Sequence, residues 1–231
     1  MVRRHELARD LDELMEAEAA VFVAHVPYAS HLTDGQSLNV AYYVRHRIET
    51  IKRIRLTAQT DAVALARMID EDYDAARLWG RYICEELDHD KMFLADLEKH
   101  GVTAAVVDAT QPFAATDDMI RYIARRTDEV GSIAAVAYSI FVEWNSARYS
   151  APAVMKAAAA FSREHVAGSS SHLAIDLDED HYDVMVDIAH RLLKGGAPEQ
   201  ILMPLIRDIA ALFRRYFEEL YHDASGRTAA A

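Results

Sequence analysis

From Leu38 to Met68 the chain carries no glycine or proline. Over that span Ala41, Tyr42, Arg45, Ile48, Ile51 and Ile54 recur three or four residues apart. That is the period of one helix face, so the stretch predicts a single long α-helix. The same period appears earlier in Leu7, Leu11, Leu14, Ala17, Val21 and His25. No segment shows sustained two-residue alternation between turn signals, which leaves nothing from which to build a sheet. With only 8 Gly and 5 Pro in 231 residues, many short strands joined by turns are excluded as well. Further helices are predicted over about 73–100, ending at Gly101 as a C-cap, and over about 118–148, with Thr116 or Asp117 as N-cap. Pro152 is expected to break or kink that helix, because proline lacks the amide the preceding turn needs. Another helix follows over about 153–165. HLAIDLDEDH then opens an amphipathic helix closed by LLKGGAP, and Pro198 starts a last helix to about Tyr221, bent at Pro204. The reading is all-α: one domain of about seven helices over 1–223, with 224–231 as a frayed tail.

A hydrophobic content of 52% supplies a sizeable core, and the formal charge of −12 argues against a general affinity for nucleic acid. The single cysteine, Cys84, permits no internal disulfide and fits a reducing cytoplasm. Cys84 is expected in the core. The N-terminal MVRRHELARDLDEL has no signal-peptide core, and no stretch reaches the roughly 18 apolar residues of a membrane span. A cationic run, RHRIETIKRIR, reads most simply as a solvated face; the alternative is an anion-recruiting rim beside a pocket.

Acidic and imidazole groups recur where apolar residues are expected. On a wheel at about 100° per residue, Trp79, Glu86, His89 and Phe93 all fall within about 60° of Tyr82. Glu86-x-x-His89 therefore places a carboxylate and an imidazole on one aromatic stripe, able to reach one metal, with Glu85 as an alternative to Glu86. Glu143 follows the apolar AAVAYSIFV, where an ionised carboxylate is costly unless paired or bound to a cation. In HLAIDLDEDH, His172 and Asp176 are spaced i, i+4, and Asp178 and His181 are spaced i, i+3. His172 and His181 lie about 180° apart on an ideal helix, so both face one site only if the segment bulges or unwinds. Glu49, amid cations, reads by itself as a salt-bridged surface acid. Taken in chain order, however, Glu49, Glu86-x-x-His89, Glu143 and Asp178-x-x-His181 give carboxylate, carboxylate plus His, carboxylate, carboxylate plus His. Such a mixed shell suits two Fe(II), or Mn(II), better than zinc or calcium.

Over about residues 38–195, through EELDHDKMFLADLEKHGV, AYSIFVEWNSARYSAP and HLAIDLDEDH, the chain resembles the heme-oxygenase-like diiron oxidases, relatives of the TenA and PQQ-synthase fold. The resemblance implies a heme-oxygenase-like bundle of about seven helices without haem. It also implies two irons that activate O2 to oxidise amino acids, fatty acids or related small molecules. Carried over, the metal ligands are Glu49, Glu86, His89, Glu143, His172, Asp176 or Asp178, and His181. The family's final motif is usually His-x-x-x-Asp-x-x-His, and here it is two residues longer, which leaves open which Asp binds and whether His172 belongs. The expected substrate is a small molecule, preferably amino-acid-like. Tyr82, Phe93, Tyr138, Trp144 and Arg148 are candidate pocket residues, and Arg148 is a candidate partner for a substrate carboxylate. An external electron donor and a homodimer are compatible with such an enzyme; nucleic acid and membrane are not expected partners. The rival readings are a ferritin-like diiron protein, a metal-free enzyme of the TenA or PQQ type, and a non-catalytic helical binding module.

Overall fold

The computed structural model describes the backbone of residues 3–228 and the side chains within it, except those of residues 176–179, 199, 227 and 228. Among the described residues every regular element is helical. The chain forms α1 (Arg4–His25), α2 (Val40–Glu71), α3 (Tyr73–Glu86), α4 (His89–Lys99), α5 (Ala104–Ala109), α6 (Ala114–Val130), α7 (Ile133–Ala160), α8 (Ala167–Glu179), α9 (His181–Leu193) and α10 (Leu202–Thr228). Two single 3-10 turns, Glu164–Val166 and Pro198–Gln200, complete it. The all-α expectation holds. The long helix predicted from Leu38 is α2, capped by the Asn39 side chain, which accepts from the Tyr42 amide at 3.1 Å.

Three of the expected helices are divided differently. The segment expected over 73–100 is interrupted at Leu87 and Asp88, so that α3 ends at Glu86 and α4 begins at His89. The helix expected over 118–148 is divided into α6 and α7 at Gly131, whose φ of +94° is left-handed backbone that glycine adopts without strain. The Glu71 carboxylate accepts from the Ser132 amide there and anchors the start of α7. Pro152, expected to end or kink that helix, lies inside α7, which runs on to Ala160. The third division is at Asp180, with a φ of +43°, between α8 and α9. At the other end of α4, Gly101 takes up the predicted C-cap geometry with a φ of +77°, and the Val102 amide donates to Leu97 O at 3.1 Å.

The main core gathers Leu7, Leu11, Trp79, Met119, Ile140 and Ile206 with their neighbours from α1, α2, α3, α6, α7, α9 and α10. A smaller cluster of Ile48, Ile51, Phe93, Leu97 and Val107 seats α4 and α5 on the first half of α2. Helix α8 is fixed on α4 by a buried acid. Asp96, 1% exposed, accepts from the Gly168 amide at 2.8 Å, the Ser169 amide at 2.8 Å and the Ser169 hydroxyl at 2.7 Å. Orphan amides at a helix N-terminus favour a carboxylate electrostatically as well as by hydrogen bonding. The helices approach so closely here that a Cβ on Gly168 would overlap the carbonyl oxygen of Met92. Backbone cannot yield as a side-chain tip does. Gly168→Ala is therefore expected to lower stability by about 3 kcal/mol, at the upper end for overpacking. An unchanged urea midpoint would contradict the close approach.

Candidate metal centre

Helices α3, α4, α7, α8 and α9 bring their acid and imidazole residues to one interior region. The Tyr82 hydroxyl, on the buried face of α3, donates to Glu143 Oε1 on α7 at 2.7 Å. Burial, then the charges of Glu143 and Glu86, hold the Tyr82 phenol well above its ordinary range, so it stays a donor. His181 is the first residue of α9 and is buried. Its Nδ1 lies 4.0 Å from Glu86 Oε1 and 3.8 Å from Glu143 Oε2, and its Nε2 is 3.1 Å from Glu85 Oε2. Across the break between α3 and α4, His89 Nδ1 is 3.1 Å from Glu86 Oε1. The His172 ring packs edge-on to His89 at 4.2 Å between centroids, and lies 5.1 Å from Phe93.

Asp180 explains how His172 and His181 reach the same region from opposite faces of an ideal helix. Its left-handed backbone ends α8, and its carboxylate then accepts from the Asp183 amide at 3.2 Å to cap α9. The segment unwinds for one residue, and each histidine belongs to its own helix. The side chains of Asp176 and Asp178 lie outside the described residues.

Glu49 is not part of this cluster. It is fully buried, its Oε1 pairs with Arg45 at 2.8 Å and accepts from the Phe113 amide at 3.1 Å, and its Oε2 accepts from the Thr116 hydroxyl at 2.7 Å. It ties the start of α6 to α2. The acid that α2 does send toward the cluster is Asp61, which sequence reasoning missed. Desolvation, followed by repulsion from Glu86, pushes its carboxyl up to about 8. A signal for it exists in the sequence: Asp61 shares a helical stripe with Thr57, Ala64 and Met68, all buried. Arg148 also lies elsewhere, stacked on Trp144 at 3.8 Å and 3.3 Å from Asp12. Cys84, expected in the core, is exposed, because α3 buries Ala75, Ala76, Trp79 and Tyr82 instead.

The donor set fits a cation. Metal–oxygen and metal–nitrogen bonds of about 2.0–2.2 Å place neighbouring donors about 3 Å apart and opposite donors about 4.2 Å apart. One ligand atom from each of Glu86, Glu143 and His181 lies within 4.8 Å of the other two, so small side-chain adjustments enclose an ion. Glu85, on the far nitrogen of His181, is placed as a carboxylate that orients a ligating imidazole. The cluster borders a cavity of about 320 Å³, lined by Glu86, Glu143 and His172 together with Phe93, Phe141 and Phe213.

Comparison with solved structures places the chain in the heme oxygenase-like fold. A domain of unknown function with that fold from Shewanella denitrificans superposes with a TM-score of 0.83 at 17% identity, covering 97% of this chain and 96% of its own. A TenA homologue from Pseudomonas syringae gives a TM-score of 0.67 at 18% identity, over 95% of this chain and 93% of its own. A CADD-like protein of unknown function from Nostoc punctiforme gives 0.64 at 14% identity, over 94% and 99%. No family model and no curated protein matches the sequence. Among the described residues no helix is long and apolar enough to cross a membrane.

The position of Asp61 generates a pH dependence. Below about pH 4 this carboxyl is neutral in both the folded and the unfolded chain. Between about 4 and 8 the unfolded chain releases the proton and the folded protein retains it, so stability falls as pH rises. Above about 8 the full penalty is present. In the metal-free protein, Asp61→Asn is expected to flatten the fall in urea midpoint between about pH 5 and 8. An identical slope in the variant would remove Asp61 from the buried acid cluster.

Proposed function

We propose that the protein is a non-haem diiron oxidoreductase that uses O2 to oxidise a small organic substrate. The observation that carries this reading is the convergence of Glu86, Glu143 and His181 on one point at the edge of a cavity. His89 and His172 stand beside it, and Asp61 approaches Glu86 from α2. Two Fe(II), or Mn(II), would be held by Glu86, His89, Glu143, His172, His181 and an aspartate, with Asp61 taking the place expected for Glu49. Bound there, the iron supplies redox chemistry toward O2. The chain's own residues do the rest. Tyr82 fixes the rotamer of Glu143 through its 2.7 Å hydrogen bond. Glu85 orients His181, and the phenylalanines around the cavity exclude water. A substrate bound in the cavity lies directly against the donor cluster.

A metal-free enzyme of the TenA type is the second reading, favoured by the shared fold with the TenA homologue. The two differ in metal stoichiometry. Anaerobic titration is expected to give about two Fe(II) per chain, and O2 is expected to produce a visible absorption that rises and decays. Glu143→Gln and His181→Ala are expected to lose tight iron. Glu49→Gln is expected to keep the iron count while lowering stability by about 3 kcal/mol, because it leaves buried Arg45 with only the more distant carboxylate of Asp223, at 3.9 Å. No tight iron in the unaltered protein would return the chain to the metal-free reading.

A further inference from the structure

Helix α8 carries His172, yet its own sequence gives it little reason to be helical. AGSSSHLAIDLDE has a glycine and three serines in its first two turns, residues that disfavour a helix interior. The Ser170 and Ser171 hydroxyls donate back to the carbonyls of Val166 and Ala167, at 2.8 and 3.0 Å, a local bond that does not support the helix. In the sequence, Asp176, Asp178 and Glu179 fall toward its C-terminal end, where the helix dipole disfavours negative charge. At 13 residues, it is also about as short as a helix can be and persist alone in water. Its N-cap residue is Val166, whose side chain has no acceptor for the orphan amides of the first turn. The order of α8 therefore comes from outside it.

Asp96 on α4 takes the place of the missing cap. An N-cap side chain accepts from the second or third amide of its helix. In α8 those amides are Gly168 and Ser169, and they donate to the two separate oxygens of Asp96, Oδ1 and Oδ2. Engaging both oxygens limits rotation of α8 as well as sliding, and the close approach of Gly168 to the Met92 carbonyl fixes the separation. Lys99, near the end of α4, donates to the Glu164 carbonyl just before α8 begins. The register then follows. His89, Phe93 and Asp96 are spaced i, i+4, i+7 along one stripe of α4, and Ser169 and His172 are spaced i, i+3 along one stripe of α8. The start of α8 lies on the later part of α4, so the stripes run antiparallel. Asp96 faces Ser169, while Phe93 and His89, earlier on α4, face His172.

We propose that Asp96 is a positioning residue: by capping α8 from α4, it holds His172 against His89 before any metal is bound. A donor already in place spares the ion the cost of ordering the helix that carries it. The consequence for metal affinity rests on the diiron reading, whereas the placement of His172 is a property of the iron-free chain. The ion held among Glu86, Glu143 and His181 does not depend on α8, because those residues come from α3, α7 and α9. Asp96 therefore acts on one of the two irons.

The test combines proton NMR and amide hydrogen exchange on the full-length, iron-free protein with Fe(II) titration. In the unaltered protein, nuclear Overhauser contacts between the His172 ring and the rings of His89 and Phe93 are expected, with slow exchange over residues 167–175. Asp96→Asn sets an amide NH2 against one of the two backbone amides. It is expected to speed that exchange at least about tenfold and to remove the ring contacts, with α2 and α7 still protected. Ser169→Ala, which removes one donor of three, is expected to move both readouts the same way by less, and it decides the matter if Asp96→Asn does not fold. With iron, Asp96→Asn is expected to keep the tighter ion and weaken the other at least about tenfold. Glu49→Gln, destabilised elsewhere, is expected to retain both ions and the ring contacts. Absent contacts or fast exchange of α8 in the unaltered protein overturns the proposal, as does either readout unchanged in Asp96→Asn. Equal weakening of both irons in Asp96→Asn also overturns it. No tight iron in the unaltered protein overturns the diiron reading alone, and the ring contacts then decide the role of Asp96.

Discussion

Bringing Glu86, Glu143 and His181 to one point inside a helical bundle, with Asp61 near enough to feel the charge of Glu86, sets the conditions for everything around them. Asp61, Glu86 and Glu143 come from three helices, and His181 from a fourth. Like charges in a desolvated interior cannot all remain ionised unless a proton or a cation stands among them. The protein carries the marks of that constraint. Asp61 retains its proton to about pH 8, and Tyr82 is held as a donor toward Glu143. The breaks in the helices fall where they serve the same cluster: α4 starts on His89 and α9 starts on His181.

Buried and half-buried acids elsewhere in the fold have a different role, and the contrast identifies the site. Asp96, Glu71 and Glu49 all receive backbone amides at the start of a helix, with a hydroxyl donating alongside. Their charge is met by donors within the protein, and they tie α4 to α8, α2 to α7 and α2 to α6. The acids of the cluster face each other and a histidine instead. Burial alone does not distinguish the two uses; the identity of the neighbours does.

This difference also accounts for what is legible in the sequence. Helix content is legible because the apolar period of α1, α2 and α10 is governed by burial of one face, a local property. Glu86, His89 and Glu143 are legible for a similar reason, since an acid on an apolar stripe is visible in one dimension. Order along the chain points to Glu49, but order does not report whether a distant amide such as that of Phe113 will reach it. Asp61 lies about 120° round α2 from Glu49, and only the buried stripe of Thr57, Ala64 and Met68 marks it. The helix breaks show the same limit. Gly131 and Asp180 stop helices because Glu71 and the Asp180 side chain are there to cap the next ones, whereas α7 continues through Pro152.

The arginines bring the same electrostatic constraint into the cavity. An acidic chain with a formal charge of −12 has carboxylates to spare, and its surface arginines find them readily, as Arg4, Arg55 and Arg214 do. Arg47 and Arg53 lie over aromatic rings instead, Arg53 at 4.7 Å from Tyr216 and Arg47 at 5.0 Å from Phe93. Opposite signs of charge then share one cavity: carboxylates grouped around His181, and guanidiniums kept from pairing with them.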